Sequence, residues 1–142
     1  MPTLSQAISA AASGLDVQRA RMEVAVSNMA NADSTRGPNN EPYRRREVVL
    51  ESTSPDGFGA TFDRVSATGV KVTAVIEDQA PFDRRFEPSH PDADAEGYVA
   101  VPNVSVPEEM VDMLGAARAY QANLTAIGII RDTVARALEL GK

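Results

Sequence analysis

Residues 4–32 read LSQAISAAASGLDVQRARMEVAVSNMANA, and the spacing of their apolar side chains sets the architecture. Leu4, Ile8, Ala11, Leu15, Gln18, Met22, Ala25, Met29 and Ala32 follow one another at alternating intervals of four and three. That is the seam of a helix that pairs with another helix. Thr3 followed by Gln6 fits a capping box at its start, and Gly37-Pro38 bars continuation. The pattern predicts a helix from about Leu4 to Asn31.

The same alternation returns near the other end, through Val106, Met110, Met113, Ala117, Tyr120, Leu124, Ile127, Arg131, Val134 and Leu138. Ser105 with Glu108 forms a second possible capping box, Pro107 suits a first helical turn, and Glu108 and Glu109 lie at the positive end of the helix dipole. Arg136 and Lys142 complement the opposite end, and Gly141 is a fitting stop. Two such seams predict an antiparallel coiled coil. In its simplest register Leu15 lies near Leu124 and Ile127, and Met22 near Ala117 and Tyr120.

Between the flanks the punctuation changes, because 13 of the 18 Gly and Pro residues fall from Gly37 to Pro107. Short strands joined by turns are expected there: Tyr43 to Glu51, Val70 to Glu77 and Gly97 to Val101. Ser54-Pro55-Asp56-Gly57 and Pro88 to Pro91 read as turns, and part of Ser52 to Thr68 reads as mobile when unpaired. The fold class is thus α+β, mainly α, with residues 1–35 and 104–142 forming one helical unit and residues 36–103 a β-rich insert.

Composition narrows the function. The net charge of −6 lacks the basic footprint of a nucleic-acid binder, and there is no cysteine for disulfides, thiol chemistry or metal ligation. No apolar run is long enough to cross a membrane, and the opening Met1-Pro2-Thr3 does not begin a cleaved secretory signal.

At 100° per residue Val17 and Val24 lie roughly opposite Leu15 and Met22, while Val111, Ala122 and Ile129 lie roughly opposite the second seam. A helix apolar on more than one face needs more cover than one partner helix supplies. Two readings remain open. Neighbouring subunits cover the extra faces, or the β-rich middle wraps both helices into a self-contained domain.

The run Ser27-Asn28-Met29-Ala30-Asn31-Ala32 closely resembles a Ser-Asn-Ile-Ala-Asn-Ala signature of flagellar rod and hook proteins, with Met29 in place of Ile. Pro42-Tyr43-Arg44-Arg45-Arg46, Gly69-Val70-Lys71-Val72, Pro88 to Asp94, Gly97-Tyr98-Val99, Pro102-Asn103-Val104, Glu109-Met110-Val111 and Arg118 to Asn123 resemble the proximal-rod FlgC family. Gln121 departs from the usual Glu, and residues between Leu50 and Gly69 match least. The resemblance implies a flagellar basal-body rod subunit, exported by the flagellar type III apparatus without a cleaved signal. It also implies a rod that crosses the periplasm and transmits torque for motility. Implied partners are further copies, other rod proteins, the MS-ring/rod adaptor and the export apparatus, with no nucleic acid and no membrane insertion. Terminal helices would form the inner tube, with the β-rich segment outside. Given that signature, Asn28, Asn31 and Asn123 are expected to make inter-helix or intersubunit hydrogen bonds that fix register. On residue type alone they would be solvent-exposed or end-capping. Tyr120 is read as a core aromatic.

Enzymatic motifs are weak. His90 stands near Asp92, Asp94 and Glu96, but position twelve of the EF-hand-like run from Asp92 is Asn103 and not Glu. Gly57-Phe58-Gly59 lacks the rest of a dinucleotide fingerprint, and no nucleophile elbow accompanies His90. No cofactor, metal or catalytic residue is expected. Arg44, Arg45 and Arg46 are read as charges on an exposed strand face or edge, or as partners of nearby acids.

Overall fold

The computed structural model describes residues 4–37, 39–53 and 69–140. Its elements are α1 (Leu4–Ala30), β1 (Arg46–Thr53), β2 (Gly69–Glu77), β3 (Asp83–Phe86), β4 (Tyr98–Val101) and α2 (Val106–Leu140). No described helix is long and apolar enough to cross a membrane. The expected caps at Thr3 and Gly141, and the turn at Ser54-Pro55-Asp56-Gly57, lie outside the described residues.

The helix α1 ends where its own side chains take over from the ladder. The Asn31 amide donates to the Ser27 carbonyl at 2.9 Å, and the Ser34 hydroxyl donates to the Asn31 side-chain oxygen at 3.2 Å. Asn40 then turns the chain with φ +61°, its N–H donating to the Gly37 carbonyl at 3.0 Å. At the other flank α2 opens backbone to backbone, Glu109 N–H to Ser105 C=O at 3.0 Å.

The strands form two separate antiparallel ribbons, β1 with β2 and β3 with β4. The first carries a register shift between Val49 and Leu50. It lies lengthwise on α1: Asn28 bonds Arg46 at the start of β1, while the Ser13 hydroxyl accepts the Val70 N–H at 3.1 Å at the start of β2. Fifteen helical residues and seven strand residues both span about 23 Å, so the two anchors match without strain.

Several boundaries differ from the sequence reading. Tyr43 to Arg45 precede β1, because the Tyr43 N–H donates to the Ser34 carbonyl and the Arg45 N–H to the Asn103 side-chain oxygen, so neither donor serves a ladder. The strand β1 runs on through Ser52 and Thr53, past the expected end at Glu51; the rest of the stretch from Ser52 to Thr68, part of which is expected to be mobile when unpaired, lies outside the described residues. The strand β3, Asp83-Arg84-Arg85-Phe86, has no apolar alternation and owes its form to pairing with β4.

Packing is lopsided. Among the described residues the buried apolar side chains are Val17, Ala25, Val99 and Ala116, whereas seventeen large apolar side chains are exposed. A lone soluble chain rarely leaves so much of its apolar content facing water.

Candidate assembly interface

The two helices run antiparallel. A Cβ added to Gly14 would lie 2.7 Å from Asn123 Nδ2, and Asn28 Nδ2 donates to Glu109 Oε2 at 2.9 Å. The interval from Gly14 to Asn28 equals that from Glu109 to Asn123, so both contacts belong to one register. It differs by a few residues from the expected one, which set Leu15 opposite Leu124 and Ile127. On α2 the row turned inward is Glu109, Met113, Ala116, Tyr120, Asn123, Ile127, Ile130 and Val134.

That row shares Met113, Tyr120, Ile127 and Val134 with the predicted seam but replaces Met110, Ala117 and Leu124 by Glu109, Ala116 and Asn123. The reason is chemical. Counting apolar side chains selects the oilier row, whereas the helix pair is joined through a carboxylate, a methyl and an amide. Met110 and Leu124 are consequently 49% and 44% exposed.

Asn28 is the centre of the join and is fully buried. Its amide nitrogen donates to Glu109 Oε2 and to the Arg46 carbonyl, both at 2.9 Å. Its oxygen accepts the Tyr43 hydroxyl and the Arg46 N–H, again at 2.9 Å. Two donors and two lone pairs are the whole capacity of an Asn side chain, and all four are used. Glu109, 2% exposed, receives Arg45 Nε on its other oxygen at 2.6 Å. Burial pulls the Arg45 guanidinium down, but Glu109 and then Glu47 outweigh it and hold it above its ordinary pKa. The buried charge is thereby paired and hydrogen-bonded, the condition under which such a charge is tolerated.

The remaining candidates divide. Among the described residues Asn31 bonds its own helix end and Ser34, which is the capping role. Asn123 is half-buried against Gly14, and Leu15, Met22, Tyr120 and Ile127 are half-buried on the paired faces. Val17 is a correction: expected to face a neighbour, it is 2% exposed. It follows Ser13 by one turn on the side that β2 occupies, so the chain's own ribbon covers it. Val24 is half-buried near Val48 on the same side. The ribbon thus covers that face of α1, whereas Val111 and Ile129 of α2 are 68% and 62% exposed.

The arginine run pairs mostly with acids: Arg45 with Glu109 and Glu47, and Arg46 with Glu77 at 3.6 Å, while Arg44 lies over the Phe82 ring at 4.2 Å. The acids near His90 are likewise engaged. Asp92 accepts from Thr35 and Arg36, and Asp94 accepts the Tyr98 and Glu96 N–H groups and pairs with Arg84. Among the described residues no cluster of three such side chains could hold a metal ion.

Sequence reasoning missed Glu109, Tyr43 and the Arg46 backbone as partners of Asn28, and Arg45 as the partner of Glu109. A signal existed, because Asn28, Tyr43 to Arg46 and Glu109 each lie in a motif that resembles the rod proteins.

Comparison with known proteins agrees. Residues 95–140 match the profile of the flagellar basal body rod FlgEFG protein C-terminal family. The chain is 43% identical over 132 residues to the flagellar basal-body rod protein FlgC of Escherichia coli O6:H1, covering 93% of each chain. It is 40% identical over 149 residues to FlgC of Bacillus subtilis, covering 99% of each, and 42% identical over 144 residues to FlgC of Agrobacterium fabrum, covering 100% and 98%. The chain, two terminal helices around a small β-rich middle, belongs to the flagellar basal-body rod protein FlgC family, whose members are structural rod components and not enzymes.

Proposed function

We propose that this chain is a proximal-rod subunit that polymerises through its terminal helices into the axial shaft transmitting torque, and that motility requires it. Residues 1–35 and 104–142 act as the helical, coiled-coil unit of the inner rod, and residues 36–103 as an outer insert that stiffens contacts between copies. Its partners are further copies, other rod proteins, the MS-ring/rod adaptor and the type III export apparatus, through which it leaves without a cleaved signal to join a rod spanning the periplasm.

One observation carries this reading: α2 turns its less apolar row inward and leaves Val106, Met110, Val111, Leu114, Leu124 and Ile129 exposed. Covering each half-exposed Met or Leu contributes about 1 kcal/mol, which favours a neighbouring helix over water. Changing Met110 and Leu124 together to Asp tests it in flagellated cells. The expected outcome is lost swimming and absent rods in electron micrographs, with the circular dichroism of the purified variant unchanged. Normal swimming with intact rods would end the proposal.

A further inference from the structure

On apolar grounds alone the helix pair has more than one acceptable alignment. Both inner rows repeat every seven residues with small or aliphatic side chains, so sliding α2 by one heptad again sets apolar beside apolar. The polar join breaks this degeneracy. Asn28 fixes Tyr43 and Arg46 to α1 through its oxygen, so Arg45, next in the chain, marks one height on that helix. Glu109 must stand at that height to reach Arg45 Nε at 2.6 Å and Asn28 Nδ2 at 2.9 Å. A slip of one heptad would place Ala116 or Pro102 opposite Asn28 and take Glu109 away from Arg45. Buried Glu109 would lose both of its partners and Asn28 one of its four hydrogen bonds, a loss that fresh apolar packing elsewhere does not offset.

We propose that Asn28, Glu109 and Arg45 form a register lock, three residues that choose one helix alignment among several that packing would accept. In that alignment Leu4 stands opposite Thr133, so residues 134–140, with Leu138 and Leu140 68% and 89% exposed, project past the described start of α1. A heptad slip would lengthen or shorten this projection by about 10 Å. The consequence for assembly rests on the subunit reading above; the lock itself does not.

Disulfide trapping on the purified full chain tests the lock, since the sequence has no cysteine of its own. Gly14→Cys with Asn123→Cys reports the observed alignment, while Gly14→Cys with Ala116→Cys or Ile130→Cys reports the two slips. With the lock intact, oxidation closes 14 to 123 and the slipped pairs stay open. In an Asn28→Leu/Glu109→Leu background, where apolar side chains replace the buried pair, the ratio of slipped to native product rises roughly tenfold or more. Exclusive closure of 14 to 123 in that background overturns the lock. So does loss of the helical circular dichroism signal without slipped product, because the residues would then stabilise the pair without choosing its alignment. Neither result depends on whether the chain assembles in cells.

Discussion

Asn28 Nδ2 meets Glu109 Oε2 at 2.9 Å across the helix pair, joining residues 81 positions apart at a point closed to water. A polar residue beside the apolar stripe thus has all four of its hydrogen-bonding sites filled. Asn28→Ala would strip partners from Glu109, the Tyr43 hydroxyl and both backbone groups of Arg46 at once. The expected loss is about 2–4 kcal/mol in urea denaturation of the purified protein. Asn31→Ala, which removes bonds at a helix end, should cost only about 1 kcal/mol. Equal losses for the two would contradict the central role given to Asn28.

Gly14 marks the close approach of the helices. A Cβ there would stand 2.7 Å from Asn123 Nδ2, the movable tip of a half-buried side chain. Replacing a mid-helix glycine by alanine normally stabilises by about 1 kcal/mol. Gly14→Ala should therefore be nearly neutral, the helix gain offset by displacing Asn123. In an Asn123→Ala background the same change should stabilise by about 1 kcal/mol. A double-mutant cycle with no coupling between the two positions would show that they do not touch.

Much of this fold was legible because helices announce themselves by period. The bounds of α1 and α2 fell within a residue or two of Leu4–Ala30 and Val106–Leu140. What the period could not reveal was rotation about the axis. On α2 the rows through Met110 and through Glu109 differ by one residue, and only a buried acid with two partners makes the polar row the inner one. Val17 was misassigned for a related reason: the cover on that face comes from a ribbon whose docking depends on Ser13 and Asn28, two polar residues that no hydrophobic pattern weighs. The strand β3 stayed invisible because its four residues are mostly charged and its partner supplies the order.

Gly97 holds φ +84°, with Phe86 Cε2 only 3.0 Å and Pro88 Cγ 3.2 Å from where a Cβ would stand. Gly97→Ala combines a strained backbone with a ring that must give way, and should destabilise the β3–β4 ribbon by about 1–2 kcal/mol. Amide hydrogen exchange should quicken at Val99 and Arg85 and hardly change in α1. Unaltered exchange in the ribbon would mean that the turn tolerates a side chain.

The same turn has a direction in pH. The Tyr98 N–H, donating to Asp94 Oδ1 at 2.8 Å, together with Arg84 and the Glu96 N–H, holds the Asp94 carboxyl below its ordinary pKa. A carboxyl depressed on folding contributes stability that is fully present above its unfolded value, near pH 4, and is lost as pH falls through the lower folded value. The turn should therefore be indifferent to pH from neutrality down to about 4 and loosen only in stronger acid. Following the Tyr98 and Glu96 amide resonances during acid titration checks this, with the Asp94 carboxyl midpoint expected below that of a free aspartate. Asp94→Asn, which keeps an acceptor for Tyr98 but removes the charge facing Arg84, should abolish that midpoint and leave the ribbon formed at neutral pH. If the amides shifted instead on raising pH above neutrality, a group other than Asp94 would govern the turn.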